Sequence, residues 1–470
     1  MPSDHKVIGT RWVFKVKADG KFKARLVVQG WSQIHGIDCG STFAPVCRLE
    51  SQRLLLALAT AKDWAVFALD VQVAFLNGEL QESVYCKQAP GFEKTHPTTG
   101  QPYVMSLKKS IYGLRQSPNV WNHTIDNELR SMGFTPTISD PCIYSKGSND
   151  TYIMLSLFVD DILITGPTDK LLMDVRNQLM NKFTITDLGE VSLILGMEVL
   201  RNRQEGTLQL SQYKYVLSVL ERFGMSSANP TKTPGVKTDP TTTGEDSTLL
   251  DTAATKEYQA MVGSLIFLTQ CTRFDICFSV TQAARFMSAP TQQHLVAVKR
   301  ILRYLKGYPD MPIIYNRGQP PLKGFCDSSY TTRSTTGSMF FLANGLVPFS
   351  SRQQKIIADS TTEAELIALA ACAKQGTYLL NICRELGFQL DNFEVRSDNR
   401  GALHLAANSN YSNRSKHIAI RFAALRDWIR SNQLVIDHVA SADQLADILT
   451  KHCERVVFTQ LRSKVLTFGK

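Results

Sequence analysis

The ten cysteines of this 470-residue chain include no Cys-x-x-Cys pair and no Cys/His pair at zinc spacing. That excludes a zinc-knuckle binder and a disulfide frame, and predicts reduced cysteines packed in cores. No run of eighteen apolar residues occurs, and the N-terminal MPSDHKVIGT lacks the apolar stretch of a signal peptide. No membrane partner and an intracellular setting are therefore expected. No internal repeat is found, which argues against a solenoid. Acidic residues are outnumbered, 42 against 52 Lys and Arg, leaving a net charge of +10. A polyanionic partner, nucleic acid first, follows from that excess. What the chain does have is apolar content, 43 %, enough at this length for roughly two to four globular domains.

One segment differs in composition. SSANPTKTPGVKTDPTTTGEDST, residues 226–248, has no hydrophobic period and reads as a linker or extended loop. Ahead of it short strands alternate with helical segments, ending in an amphipathic helix over 210–225 that stops at Gly224. Behind it come two helical stretches, and the second carries Lys299, Arg300, Arg303 and Lys306 beside an apolar face. Those basic residues are either a solvated face or a nucleic-acid contact. From about residue 322 a strand-rich pattern begins, followed by helix, strand, helix and strand, so the fold class is α/β.

Within SLFVDDILITG, residues 156–166, Asp160 and Asp161 interrupt an apolar strand pattern. Two carboxylates about 4 Å apart repel by about 4 kcal/mol at an effective dielectric near 20. Either the pair sits in a solvated hairpin turn, or a hard divalent cation offsets the charge. A third acid, Asp70, ends the strand of WAVFALDVQVAFLNGEL, and Phe75 follows in a short helical segment. Three acids at strand ends suit metal-assisted phosphoryl transfer if they converge in one sheet. Near the N-terminus, WVFKVKADGKFKARLVVQG reads as a hairpin turning at Asp19-Gly20. Alternation puts Lys15 and Lys17 on one face of its first strand, and Lys21, Lys23 and Arg25 on one face of its second, with Phe22, Ala24 and Leu26 opposite. Phosphate binding or protection of a sheet edge would each account for that basic face.

The chain resembles the reverse transcriptase of copia-type long-terminal-repeat retrotransposons. The resemblance rests on KARLVVQGWSQIHGIDCGSTFAPVCRLESQRLLLALA, LDVQVAFLNGEL, LKKSIYGLRQSPNVW, FVDDIL, DLGEVSLILGMEV and TRFDICFSV, which occur in the family's order. It implies that Asp70, Asp160 and Asp161 are the polymerase triad and that the carbonyl of Val71 is a further metal ligand. It also implies that Phe75 packs under the incoming sugar, that Lys17 and Arg25 hold the triphosphate, and that Gly113 of YGLRQSP allows close backbone approach. LGMEV resembles the segment that positions the primer terminus. The departures are Phe158, where the family mostly has tyrosine, Gln29, where it has lysine or a similar residue, and a shorter hairpin at Asp19-Gly20.

Four acids of the C-terminal third form a second set: Asp327, Glu365, Asp398 and Asp447. Glu365 has a bland alternative in a helix-capping box, although Ser360 with Glu363 already fits that pattern. Asp398 has one in a turn or N-cap. In order, CDSSYTTRSTTGSMFFL, STTEAELIALA, SDNRGALHLA, NRSKHIAIRF and ASADQLADILTK resemble the family's ribonuclease H domain. That likeness implies the four acids as ligands of two ions and His417 as a motif histidine, with Ser329 replacing an outer acid.

The resemblance implies a right-hand polymerase with fingers and palm over 1–206, thumb and connection over 207–320, and a ribonuclease H-like domain over 321–470. Two Mg2+ ions per site are expected, with Mn2+ as substitute. The expected partners are RNA template, DNA primer, RNA-DNA hybrid, deoxynucleoside triphosphates, and the capsid and integrase of the same element; the expected location is the cytoplasm, in virus-like particles. A catalytically inactive element remnant that only binds nucleic acid is the alternative, suggested by the lack of capsid, protease and integrase segments.

Overall fold

The computed structural model describes every residue except 1–4, 17–19, 237–247, 319–320, 409–421 and 470. Lys17, His417 and about half of the expected linker therefore lie outside the described residues. The chain packs as two compact units that are not contiguous in sequence: Met1–Cys47 with Val66–Glu190, and Arg48–Ala65 with Val191–Lys470.

The first unit opens with the expected hairpin, β1 (Thr10–Val16) and β2 (Phe22–Val28), in which Lys15 pairs with Lys23 and Val13 with Arg25. Directly opposed residues share a face, so Arg11, Lys15, Lys23 and Arg25 line one side. The other side is not a core face, for Phe14 is 75 % and Phe22 90 % exposed. The next element, α1 (Leu49–Ala61), belongs to the second unit. The strands β3 (Ala65–Val71), β4 (Glu79–Lys87), β5 (Val104–Lys109), β6 (Thr135–Pro136), β7 (Ile143–Lys146), β8 (Ile153–Phe158), β9 (Asp161–Gly166) and β10 (Ile185–Glu190) follow. β4 and β5 form a hairpin, and the rest form a six-stranded sheet in the order β10-β3-β9-β8-β7-β6. Residues 153–157 of β8 and 162–166 of β9 are buried without interruption. Both faces of this part of the sheet are covered, which is why apolar residues there run consecutively instead of alternating. Helices α2 (Ser117–Ser131) and α3 (Asp169–Lys182) complete the unit.

In the second unit, β11 (Leu193–Ile194), β12 (Met197–Asn202), β13 (Thr207–Ser211) and β14 (Ile313–Asn316) form an antiparallel sheet in chain order. The helix expected over 210–225 starts only at Tyr213, because Leu210 and Ser211 pair with Val199 and Glu198 in β13. It is labelled α4 (Tyr213–Arg222), and Gly224 follows it at φ +64°, a left-handed stop. Residues 226–236 are not a free linker. Thr233, Pro234 and Gly235 are buried, and two residues of α7 (Gln292–Gly307), which follows α5 (Thr252–Cys271) and α6 (Cys277–Ala284), hold the segment: Arg300 donates to Thr233 Oγ1 at 3.0 Å and Arg303 to the Asn229 carbonyl at 2.7 Å. Half of that basic face thus binds the chain itself, which neither sequence reading anticipated.

The last sheet contains β15 (Leu322–Ser329), β16 (Thr335–Leu342), β17 (Gly345–Gln353), β18 (Phe393–Ser397) and β19 (Leu434–His438) in the order β17-β16-β15-β18-β19. The pairings of β15–β17 are antiparallel, whereas β15, β18 and β19 run parallel. Between the two halves runs α8 (Thr361–Glu385), packed on β15, β16 and β18. By length and composition α8 could cross a membrane, yet 56 % of its apolar window is buried inside the unit, as in a core helix. Residues 51–60 of α1 are all buried, and the helix packs on β14 and β17. All ten cysteines are free and nine are buried, as their spacing implied.

Candidate active sites

Asp70 is the penultimate residue of β3, and Asp161 opens the adjacent strand β9. Asp160 lies in the two-residue turn closed by the Phe158–Asp161 pair. Three groups fix that turn: Val159 adopts φ +57°, its carbonyl accepts the Trp121 indole N–H at 2.7 Å, and the Asp160 carbonyl accepts the Val71 N–H at 2.8 Å. Val73, three residues past Asp70, also has positive φ, +52°. A β-branched residue in that region costs about 1–3 kcal/mol, so strain flanks the acids on both sides. Burial, then the charges of Asp160 and Asp70, pushes the Asp161 carboxyl up to about 6. Gln72 donates to Asp70 Oδ2 at 2.6 Å and to Thr186 Oγ1 at 2.9 Å, Thr186 being the β10 residue that pairs with Asp70.

Beside these acids stand three ring or cationic groups. Phe75, in the 3-10 helix Ala74–Asn77, is half-buried with its ring edge against Tyr112, 4.6 Å between centroids. The Arg25 guanidinium lies 5.3 Å from the Tyr112 ring centroid. Burial and the Asp160 charge raise the Tyr112 phenol, with Arg25 opposing. Gly113 has φ +98°, and a Cβ there would meet the Val28 carbonyl oxygen at 2.0 Å. Its loop is tied to β2 by Val28 N–H to the Tyr112 carbonyl, 2.9 Å, and Gly30 N–H to the Gly113 carbonyl, 3.2 Å. The close approach expected of Gly113 is thus to the protein's own backbone.

The second set is tighter. Oxygens of Asp327, Glu365 and Asp398 all lie within 4.8 Å of one another, a density that the first set does not reach among the described residues. Asp327 sits on β15, Glu365 on the first turns of α8, Asp398 directly after β18, and Asp447 in the 3-10 helix Leu445–Leu449. Both bland readings fall to neighbouring residues. Ser360 Oγ caps α8 by accepting the Glu363 N–H, and Glu363 Oε2 accepts from Asp359 N–H, which leaves Glu365 free of the cap. Asn399, not Asp398, caps the helix Arg400–Ala407 by accepting the Ala402 N–H.

Glu365 Oε1 accepts the Ser328 N–H at 3.2 Å, and Asp447 Oδ2 pairs with Lys451 Nζ at 2.9 Å. The other oxygens, Glu365 Oε2 and Asp447 Oδ1, are buried with no hydrogen-bond partner. Thr450 donates to Asp327 Oδ2, and Ser441 donates to Asp398 Oδ2 at 2.8 Å. Burial, then the Asp327 charge, pushes Glu365 up to about 9 and Asp447 up to about 7. Buried carboxylate oxygens without donors are costly alone and well matched to a hard cation, so the donor set fits Mg2+ or Mn2+. Sequence reasoning passed over Gln72, Thr186, Tyr112, Ser441, Thr450 and Lys451. Tyr112 borders Gly113 in its motif and Lys451 ends ADILTK, so each had a signal; Thr186 reaches its site only through strand register.

The family described as reverse transcriptase (RNA-dependent DNA polymerase) matches residues 1–237. Over 97 % of its length the chain is 38 % identical to the retrovirus-related Pol polyprotein from transposon TNT 1-94 of Nicotiana tabacum, covering 35 % of that protein. Over 99 % it is 36 % identical to the Pol polyprotein from transposon RE1 of Arabidopsis thaliana, covering 32 % of that one. It therefore spans about a third of the length of these curated relatives. A putative transposon Ty5-1 protein of Saccharomyces cerevisiae is 32 % identical over 64 % of this chain and 97 % of its own. Among solved structures, RNase H1 from Halobacterium salinarum aligns with 28 % of this chain and 94 % of its own, at 18 % identity and a TM-score of 0.21, too slight a likeness to carry an argument. The chain belongs to the reverse transcriptase (RNA-dependent DNA polymerase) family, in the form found in copia-type retrotransposon Pol polyproteins.

Proposed function

We propose that this chain is an RNA-directed DNA polymerase that also hydrolyses the RNA strand of RNA-DNA hybrids. The observation that carries the reading is the presence of two separate carboxylate sets in one chain of this family, one in each packing unit, with all seven acids present in the sequence. The reaction is attack of a primer 3′-hydroxyl on the α-phosphate of a deoxynucleoside triphosphate. Asp70, Asp160, Asp161 and the Val71 carbonyl would hold two Mg2+ ions at one site, and Asp327, Glu365, Asp398 and Asp447 two at the other. Bound there, such ions supply activation of the attacking oxygen and charge stabilisation of the leaving group. The chain's own groups bind and orient: Arg25 and Lys17 hold the triphosphate, Phe75 lies under the sugar, and Gly113 lets its loop support the nucleotide.

In this reading residues 1–206 are fingers and palm, 207–320 thumb and connection, and 321–470 the ribonuclease H domain. The template-primer is recognised by backbone charge and shape, since a polymerase must accept every sequence. Work in cytoplasmic virus-like particles beside capsid and integrase belongs to the same proposal. The test is a pair of variants assayed for primer extension on RNA and for cleavage of hybrid RNA. Asp161→Asn should abolish extension and spare cleavage, and Asp398→Asn the reverse. Loss of both activities in either folded variant would refute the two-site assignment.

A further inference from the structure

Lys451 lies four residues beyond Asp447, where the chain leaves the 3-10 helix Leu445–Leu449. The backbone brings it back, since the N–H groups of Thr450 and Lys451 both donate to the Asp447 carbonyl, at 3.1 and 3.2 Å. Its ammonium then meets Asp447 Oδ2 at 2.9 Å, and among the described residues no other Lys or Arg forms an ion pair with any of the four acids. The preceding side chain, Thr450, donates to Asp327 Oδ2. Two consecutive residues thus cover one oxygen each of Asp447 and Asp327, while Asp447 Oδ1 and Glu365 Oε2 keep no partner.

We propose that Lys451 is a positioning residue, a tethered stand-in for a cation at the proposed ribonuclease H site. It holds Asp447 against the repulsion of Asp327 while no ion is present, and it competes with the entering ion for Asp447 Oδ2. The site's demand for Mg2+ is set by that competition. This inference rests on the ribonuclease H reading of the four acids. Two features suit the role. The Lys451 side chain is 50 % exposed against 10 % for Asp447, so the ammonium can swing into water on its flexible stem without uncovering a core. Lysine is also a point charge that takes one carboxylate oxygen, whereas an arginine fork would take both.

The test isolates this site by replacing Asp70, Asp160 and Asp161 with Asn, then titrating the full-length protein calorimetrically with MgCl2 and MnCl2. Lys451→Met, or Lys451→Gln should Met fold poorly, is expected to bind Mn2+ roughly 1.5- to fivefold tighter, the range for a partly exposed ion pair. Its rise in Tm on adding Mg2+ should exceed that of the unaltered Lys451 protein. Lys451→Arg should shift affinity the opposite way. If Lys451→Met leaves affinity unchanged and lowers Tm equally with and without Mg2+, the pair is structural and the proposal fails. Should the protein with Lys451 take up neither ion, and Asp398→Asn alter nothing, the ribonuclease H reading falls with it.

Discussion

The family resemblance places Phe75 under the incoming sugar, as a gate against a 2′-hydroxyl. Phe75 is half-buried against Tyr112, and its neighbour Leu76 is 40 % exposed. Phe75→Ala should therefore cost less than the roughly 3–5 kcal/mol typical of a fully buried phenylalanine. It should raise ribonucleotide incorporation relative to deoxyribonucleotide, because the ring no longer fills the space of a 2′-hydroxyl. Incorporation ratios and Tm measured on one preparation decide it, an unaltered sugar ratio counting against the gate. The acids make a second prediction. A carboxyl whose pKa is raised by folding keeps its proton longer in the folded state, so the stability it contributes is complete below its unfolded value and is lost as pH rises. The loss runs up to about 6 for Asp161, about 7 for Asp447 and about 9 for Glu365. In EDTA, Tm should fall as pH goes from 5 to 9. Saturating Mg2+ should flatten the fall, and its binding at pH 7 should release protons, seen as a heat that varies with the buffer. A flat profile in EDTA would show that folding does not raise these carboxyls.

At the scale of elements, legibility followed local physics. The β1–β2 hairpin was readable because alternation is a local signal, and Lys15, Lys23 and Arg25 share a face as expected, while the turn residues 17–19 lie outside the described residues. The exposure of Phe14 and Phe22 on its other face could not be read from alternation, which assigns a side chain to a face and not to a partner. Helix α4 was placed three residues early because Leu210 continues its apolar period, and only pairing with Val199 assigns Leu210 to a strand. Likewise Arg300 and Arg303 look like a nucleic-acid face until the segment 229–233 is seen to use them. The hairpin is the better candidate for phosphate contact. Each phosphate neutralised adds roughly 0.7–0.9 to the slope of log affinity against log salt. Neutralising Lys21, Lys23 and Arg25 together should flatten that slope for a primer-template, whereas an unchanged slope would place the phosphates elsewhere.

For the whole molecule, the two candidate acid sets could be picked out because the motifs that hold them are local, and three of the second set, Asp327, Glu365 and Asp398, come within 4.8 Å of one another. The division of the chain could not, since packing partners far apart in sequence leave no local trace. Sequence order suggests a cut near residue 206, yet the chain passes between its two units three times, and α1 from the N-terminal part is packed in the second. Expressed alone, residues 191–470 would leave the surfaces of β14 and β17 that α1 covers open to water. That fragment should melt well below the full chain and bind a hydrophobic dye, and fusing residues 48–65 to it should restore much of the difference. Equal melting temperatures without the fusion would show that α1 is dispensable to the fold.

The lent helix also has a consequence in time. On the ribosome α1 emerges ahead of β17, which it covers and which is finished only at residue 353. That is roughly 290 residues later, or about 15–60 s at 5–20 residues per second. Throughout that interval the nascent chain carries an apolar helix, LESQRLLLALATA, whose partners do not yet exist. Synthesis of this protein should depend on a chaperone that shields α1, and slowing elongation should increase aggregation rather than relieve it.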